Sequence, residues 1–324
     1  MVSVAGGTSR SNHKVTAPRI VPSKLPLRGS GPTARQRIVA ERTVNTLVRR
    51  RIVNGIMTSV VTLAALITTL PLLFILFHLL KQGASSLTPA FFTRMPKPPG
   101  EVGGGMANAI VGTLILIGLA CAIGLPIGIG GGLFLADFRG SRLATAIRFL
   151  ADVLNGLPSI VIGIFAWEIL VRPYGFSALA GGVALSVILI PMVTRTTEEM
   201  VRLVPTALRE AAMALGYSRA RTALAVVLRT ATAGIVTGVL VAVARIAGET
   251  APLLFTALGN AFWSLRLDQP IAAMPLQIYA YAQSADEEWH RLAWAGALVL
   301  ITVVFLISVA ARLATRAKFS GAGD

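Results

Sequence analysis

The uncharged stretch VGGGMANAIVGTLILIGLACAIGLPIGIGGGLFLA at residues 102–136 decides the fold class of this chain. About 20 apolar residues are enough for an α-helix to cross the hydrocarbon of a bilayer, and this run is longer than that. Its first five residues include three consecutive glycines, so we expect a loop there and a membrane-spanning helix after it. Similar uncharged or nearly uncharged runs recur at 56–80, 149–171, 173–194, 230–266 and 292–311. The sequence therefore predicts an all-α, polytopic membrane protein with six transmembrane helices.

The composition agrees with a membrane protein and argues against soluble classes. Of the 324 residues, 54% are hydrophobic and 14% are charged, whereas soluble domains carry about 25% charged residues. The formal net charge is nevertheless +16. Such a chain is an improbable soluble enzyme, and it is a nucleic-acid binder only if the positive charge gathers in one exposed domain. The single cysteine, Cys121, excludes an intrachain disulfide framework.

The distribution of the positive charges predicts the topology. We expect a disordered basic cytoplasmic tail at 1–51, a six-helix membrane domain at 52–317 and a short cytoplasmic tail at 318–324. The predicted spans are about 54–80, 107–136, 147–171, 175–197, 231–259 and 291–313, with a long cytoplasmic loop at about 198–230. Six spans place both termini on one side, which carries 23 Lys and Arg against 6 on the other. Because positively charged loops stay in the cytoplasm, both termini are predicted to be cytoplasmic.

The long cytoplasmic loop has the most informative pattern outside the spans. Residues 194–230 read TRTTEEMVRLVPTALREAAMALGYSRARTALAVVLRT, with E-A-A-x-x-x-G starting at Glu210. Apolar residues at helical spacing predict two short amphipathic helices joined by a turn at Gly216. From the residues alone, this hairpin either lies on the inner leaflet or docks a cytoplasmic partner. The adjacent acids Glu198 and Glu199 are expected at the surface.

Two further patterns bear on packing and on chemistry. Gly124, Gly128 and Gly132 recur every fourth residue in the second span, which predicts close helix packing. The glycine run 128–132 is not followed by Lys-Ser or Lys-Thr, and no phosphate-binding P-loop motif occurs in the sequence. If this chain works with ATP, another chain must therefore hydrolyse it. The three histidines are scattered, and no spacing suggests a metal site.

The motif Glu210-Ala211-Ala212 with Gly216, followed after nine residues by Val226-x-Leu228, resembles the EAA loop of binding-protein-dependent ABC importer permeases. Val226 stands where that family has Ile, and Arg229 stands where it has Pro. The stretches NAIVGT at 108–113, LNGLPSIV at 154–161 and RIAGETAPLLFT at 245–256 are similar to the phosphate-importer branch of the family. The resemblance covers about residues 51–316.

This resemblance implies the type I ABC importer permease fold and a permease subunit that moves inorganic phosphate across the bacterial cytoplasmic membrane. It also implies a sister permease (PstC), two ATP-binding subunits (PstB) that hold Mg-ATP, and an extracytoplasmic phosphate-binding protein (PstS). The chain itself would have no catalytic residues, cofactor or metal, and would contact membrane lipids but no nucleic acid. The residues that would couple it to the ATPase are Glu210, Ala211, Ala212 and Gly216.

The fifth span carries Arg245 and Glu249, which lie four residues apart and can approach each other on one helical face. An ionised arginine inside a membrane is costly unless it is paired or faces water. Either the two residues form a buried ion pair that fixes helix packing, or Arg245 lines the substrate pathway, where its planar fork suits phosphate oxygens. In the second case Glu249 holds Arg245 in place and moderates its positive potential.

Other polar residues inside or beside the spans are further candidates. Arg195, at the inner end of the fourth span, is either a topological anchor or, as the resemblance implies, a second anion contact. Asn155, Pro158 and Ser159 interrupt the third span and either serve packing or line a wet cavity. The predicted pathway residues are Arg245, Glu249, Arg195, Asn155, Ser159 and Thr250.

Other functions stay open at this point. The chain could be a permease for another oxyanion, such as sulfate or molybdate. It could also be a membrane-embedded enzyme that acts on phospholipid headgroups, although no histidine or carboxylate cluster supplies a nucleophile or an activated water. A third possibility is a scaffold that senses phosphate without moving it.

Overall fold

A computed structural model describes the backbone of residues 34–320 and the side chains of residues 49–309 and Leu313. The described helices are α1 (Ala34–Gly83), α2 (Pro89–Thr93), α3 (Ala107–Asp137), α4 (Arg142–Gly156), α5 (Ser159–Ala166), α6 (Arg172–Tyr174), α7 (Ala178–Arg202), α8 (Thr206–Ala214), α9 (Arg219–Arg221), α10 (Leu228–Ala247), α11 (Ala251–Thr256), α12 (Met274–Ala282) and α13 (Glu287–Ser320). A 3₁₀ turn at Ala84–Ser86 and π-helical turns at Trp167–Val171 and Thr222–Val227 complete the helical elements.

Residues 1–33 of the basic tail predicted at 1–51 lie outside the described part of the chain. From Ala34 onward the described backbone is helical. That stretch contains neither glycine nor proline, and six of its residues are arginine, which favours helix. The short tail predicted at 318–324 is likewise helical as far as Ser320, and its last four residues lie outside the described part.

Two units are distinguished along the chain, residues 1–71 and 72–324. In the described part of the first unit, large apolar side chains from Ile52 to Leu70 are exposed on all sides of α1. A helix that is apolar all round and exposed in this way suits a lipid environment.

The second unit is built around the pair α3 and α7, which pack against each other along their length. Its main core joins Leu116 of α3, Leu189 of α7, Ile246 of α10 and Leu253 of α11, all nearly or completely buried. Helix α13 packs against α10 and α12. The predicted all-α membrane fold is confirmed, since five helices in the described part of the chain are long and apolar enough to cross a membrane, and a bent pair of helices makes six if it counts as one span.

The bent pair occupies the third predicted span. A single helix was expected over about 147–171, but α4 ends at Gly156 and the chain turns by 104° before continuing as α5. Pro158 causes the break, because proline removes a backbone donor and forces the preceding residue into an extended conformation. Leu157 has ψ 137° and Pro158 has ψ 134°, both outside the helical region.

The fifth predicted span, 231–259, is also interrupted. Helix α10 ends at Ala247, and three non-helical residues precede the short helix α11. Helix α11 packs against α5, so the second halves of the two interrupted spans meet. At their contact, a Cβ on Gly163 would lie 2.7 Å from the Cα of Pro252, so only glycine permits this approach.

The glycines of the second span lie at the contact between α3 and α7, which confirms the packing prediction. A Cβ on Gly128 would lie 2.8 Å from the Cβ of Val193, and one on Gly132 would lie 2.5 Å from the Cβ of Thr197. Real Cβ atoms do not approach so closely, so these glycines set the distance between the two helices.

Replacing Gly132 with Ala is therefore expected to destabilise the protein by about 1–3 kcal/mol, the usual cost of overpacking. The thermal midpoint of the purified protein measures this loss. Gly130→Ala is the matched control, because a Cβ there meets nothing within 4 Å and alanine favours helix by about 1 kcal/mol over glycine. Equal midpoints for the two variants would contradict the packing role of Gly132.

Candidate functional site

A cavity of about 140 Å³ lies where the two interrupted spans face α7. It is lined by the end of α4, the bend, the start of α5, two residues of α7, and the break after α10. The lining residues are Leu154, Asn155, Leu157, Pro158, Ser159, Ile162, Ile188, Met192, Arg245 and Glu249. Four of the six predicted pathway residues, two from each interrupted span, therefore surround one cavity.

Both helix breaks have a physical reason to lie at this cavity. Backbone groups that lose their helical partners at membrane depth are tolerated where they are buried in protein or line a wet cavity. Interrupted membrane helices also bring free backbone groups and helix ends toward substrates. The break in the third predicted span supplies Asn155 and Ser159 to the cavity, and the break in the fifth predicted span supplies Glu249.

Arg245 lies in the last turn of α10 and its side chain is 59% exposed. Its Nε lies 4.0 Å from Oε1 of Glu249, which is too far for a hydrogen bond. No hydrogen bond joins its guanidinium to any other described residue. Arg245 and Glu249 thus do not form a buried ion pair that only fixes packing. The N–H groups of the Arg245 guanidinium are available to an anion in the cavity.

The remaining two predicted pathway residues do not line the cavity. Thr250 precedes α11 at its N-cap position and makes no side-chain cap hydrogen bond. Arg195 lies on α7, one turn toward the cytoplasm from Met192, and its guanidinium contacts two carboxylates. Its Nη2 lies 2.5 Å from Oδ1 of Asp152, and its Nη1 lies 3.1 Å from Oε2 of Glu198.

Glu198 was expected at the surface, and this prediction is wrong. Its side chain is 1% exposed and forms ion pairs with three arginines. Arg148 of α4 lies 2.6 Å away, Arg195 lies 3.1 Å away, and Arg202 also contacts the same carboxylate. A buried carboxylate needs such partners, because desolvation of an unpaired charge is strongly unfavourable. Glu198 therefore holds the middle of α4 against the inner end of α7.

Sequence reasoning thus missed two acids of this ionic cluster, Asp152 and Glu198. Part of the signal was visible, because Arg195, Glu198 and Arg202 lie at i, i+3 and i+7 and so share one helical face. The partners on α4 could not be recognised from the sequence, since Arg148 and Asp152 lie more than forty residues before Glu198 and Arg195.

In the predicted cytoplasmic hairpin, α8 and the turn at Gly216 are followed not by a separate short helix but by one continuous helix, Arg219–Ala247, which comprises α9, the π-helical turn and α10. Glu210 and Ala211 are exposed, whereas Ala212 is buried. Gly216 follows α8 with φ +87°, a left-handed conformation that favours glycine. Arg209 fastens α8 to the membrane domain, with Nη1 2.5 Å from Oδ1 of Asp137 and Nη2 3.1 Å from the carbonyl of Val201.

Comparisons with known proteins agree with this architecture. Residues 128–319 match the family described as "Binding-protein-dependent transport system inner membrane component". Among solved structures, the chain is similar to a MetNI methionine ABC transporter in an inward-facing conformation, with a TM-score of 0.50 and 20% identity. The likeness covers 65% of this chain and 92% of that one, and it shows the fold of type I ABC importer permeases.

Curated relatives are more similar in sequence. The Yersinia pestis "Phosphate transport system permease protein PstA" is 48% identical over 244 residues, which are 75% of this chain and 83% of that protein. The protein of the same name from Xylella fastidiosa is 45% identical over 82% of this chain and 93% of its own length. A "Probable phosphate transport system permease protein PstA" from Methanocaldococcus jannaschii is 38% identical over 82% of this chain and 95% of its own.

The spans and these relatives together make the chain a multi-pass protein of the cytoplasmic membrane. It belongs to the PstA family of binding-protein-dependent transport system inner membrane components.

Proposed function

We propose that the chain is the permease subunit of an ATP-driven importer of inorganic phosphate. The observation that carries the proposal is the cavity at the two helix breaks, with the guanidinium of Arg245 at its wall and without a hydrogen-bonded partner among the described residues. The names of the PstA relatives support phosphate as the transported anion.

The cavity offers the chemistry that a phosphate ion needs. A guanidinium donates two parallel N–H groups to two phosphate oxygens, and this charge-assisted contact is stronger than one between neutral groups. The amide of Asn155 and the hydroxyl of Ser159 add neutral donors nearby. Glu249 lowers the positive potential around Arg245, so the bound anion is not held too tightly to leave. Arg195 is a second anion contact on the cytoplasmic side, and Thr250 lies next to Glu249.

The partners belong to the same proposal. The exposed residues Glu210 and Ala211 of α8, with the turn at Gly216, form the surface on which a PstB subunit docks. Two PstB subunits bind and hydrolyse Mg-ATP, and this chain binds no cofactor itself. A PstC chain completes the pathway, and PstS delivers phosphate from outside the cell. Membrane lipids contact the exposed apolar helices.

Uptake by the reconstituted complex tests the proposed substrate. Proteoliposomes that contain the four Pst proteins should take up labelled phosphate when supplied with internal Mg-ATP. A large excess of unlabelled phosphate should suppress this uptake, whereas sulfate and molybdate should not. Suppression by sulfate or molybdate would assign the permease to another oxyanion, and ATP hydrolysis without any uptake would favour a sensing scaffold.

Replacing Glu210 with Lys is expected to uncouple the ATPase from transport. The substitution reverses a charge on the exposed face of α8 that contacts PstB in the proposal, so the group that meets the carboxylate of Glu210 there loses its partner. Phosphate uptake should fall below detection, and less PstB should co-purify. Glu199→Lys is the control, since Glu199 is also an exposed cytoplasmic acid but lies outside the hairpin. Normal PstB recovery and uptake in the Glu210 variant would refute the docking role.

A further inference from the structure

The ion pair between Arg195 and Asp152 lies directly on the cytoplasmic side of the cavity. Asp152 precedes the lining residue Asn155 by three residues on α4, and Arg195 follows the lining residue Met192 by three residues on α7. Three residues of α-helix advance the chain by about 4.5 Å, which is less than one turn. An anion that leaves the cavity toward the cytoplasm therefore meets this pair next.

Asp152 occupies the arginine fork in the manner of a bound oxyanion. Nε of Arg195 donates to Oδ1 of Asp152 at 2.8 Å, and Nη2 lies 2.5 Å from Oδ1 and 2.6 Å from Oδ2. Two oxygens of one phosphate ion would take the same two donors. Asp152 and phosphate thus compete for one face of Arg195.

The two acids that contact Arg195 differ in how easily they can leave it. Asp152 is 52% exposed, so water and ions reach its carboxylate. Glu198 is buried and is held by two other arginines. When Asp152 leaves, Glu198 still fixes the guanidinium through Nη1 at 3.1 Å. Arg195 therefore keeps its position while its Nε and Nη2 donors become available.

We propose that Asp152 is an internal competitor for phosphate, which occupies Arg195 in this conformation and is displaced by the ion during transport. This inference rests on the proposed phosphate pathway. Asp152 keeps the apparent affinity of the inner contact low, and its return to Arg195 expels the phosphate toward the cytoplasm. It is a positioning residue, and it does not itself bind the substrate.

Asp152→Asn in the complete reconstituted complex tests this role, because the amide keeps the shape of the carboxylate but loses its charge. The KM for phosphate uptake should fall about tenfold, as expected if Asp152 leaves Arg195 open about one-tenth of the time. The kcat should fall as well, because the bound ion is no longer expelled. Asp152→Ser should shift both parameters in the same directions, and it provides the readout if the Asn variant does not assemble.

Two controls separate competition from a structural role. Asp152→Glu retains the carboxylate and should keep KM near that of the unmodified complex. Glu168→Gln removes the acid of an exposed Arg172–Glu168 pair at the other end of the same interrupted span and should change neither parameter. An unchanged or raised KM in assembled Asp152→Asn and Asp152→Ser complexes would overturn the inference. Absence of phosphate uptake by the unmodified complex would instead overturn the proposed function.

Discussion

Phosphate uptake by the Arg245→Ala variant is expected to fall about 100-fold, because the loss of two charge-assisted hydrogen bonds of about 1.5 kcal/mol each weakens binding by about two orders of magnitude. The side chain is exposed in this chain and makes no hydrogen bond to another described residue, so its removal should leave the fold intact. Uptake by proteoliposomes and the subunit composition of the purified complex measure the two effects separately.

Two further substitutions serve as a graded comparison and as a control for this result. Arg245→Lys keeps the charge but loses the planar fork, so its uptake should lie between those of the unmodified protein and the Ala variant. Arg266→Ala removes an exposed arginine of the loop between α11 and α12, where it pairs with Asp268, and should leave uptake unchanged. Normal uptake by the Ala variant would remove Arg245 from the pathway.

The second large effect concerns stability. Glu198→Gln is expected to destabilise the protein by about 3 kcal/mol, the lower end of the range for breaking a buried ion pair, because the arginines around it still reach water. The neutral amide would leave Arg148, Arg195 and Arg202 close together without their central carboxylate. For a domain of this size, the loss corresponds to a fall of about 6–12 °C in the thermal midpoint.

Glu199→Gln is the matched control for this experiment, because the adjacent residue carries the same charge but is exposed. Its thermal midpoint should stay within the small range typical of surface substitutions, about 0.5 kcal/mol. If both variants had the same midpoint as the unmodified protein, the ionic cluster around Glu198 would have no role in stability.

The ionic cluster also connects the cytoplasmic hairpin with the cavity through direct contacts. Arg209 of α8 donates to the carbonyl of Val201 on α7. The neighbouring residue Arg202 contacts Glu198, which contacts Arg195, which in turn contacts Asp152. If an ATPase docks on α8 as proposed, a movement of α8 would therefore act on the pair beneath the cavity over about two helical turns of α7.

Much of the fold could be predicted from the sequence because the responsible interactions are local. The uncharged stretch at 102–136 is long enough to span a bilayer whatever surrounds it, and it forms α3. The spacing of apolar residues around Glu210 predicted α8, and Gly216 predicted the turn after it, whereas the second helix of the hairpin continues into α10 instead of ending as a short helix. The charge pair Arg245 and Glu249 stood out because charged groups inside a span are rare.

Other features follow from contacts between residues that are far apart in the chain. Pro158 made an interruption foreseeable, but its size, 104°, depends on how α5 packs against α11. The burial of Glu198 depends on Arg148, fifty residues earlier, and the state of Arg195 depends on Asp152.

Hydrophobic length and charge are properties of each segment, so the segments that cross the membrane could be predicted without knowledge of their neighbours. The same reasoning placed one arginine, Arg245, within a span. Which charges are paired could be read only from the folded chain, because pairing depends on distances between helices that the order of residues does not specify. For that reason the two predicted arginines of the pathway differ in the structure: Arg245 faces a cavity, and Arg195 is already occupied by a carboxylate.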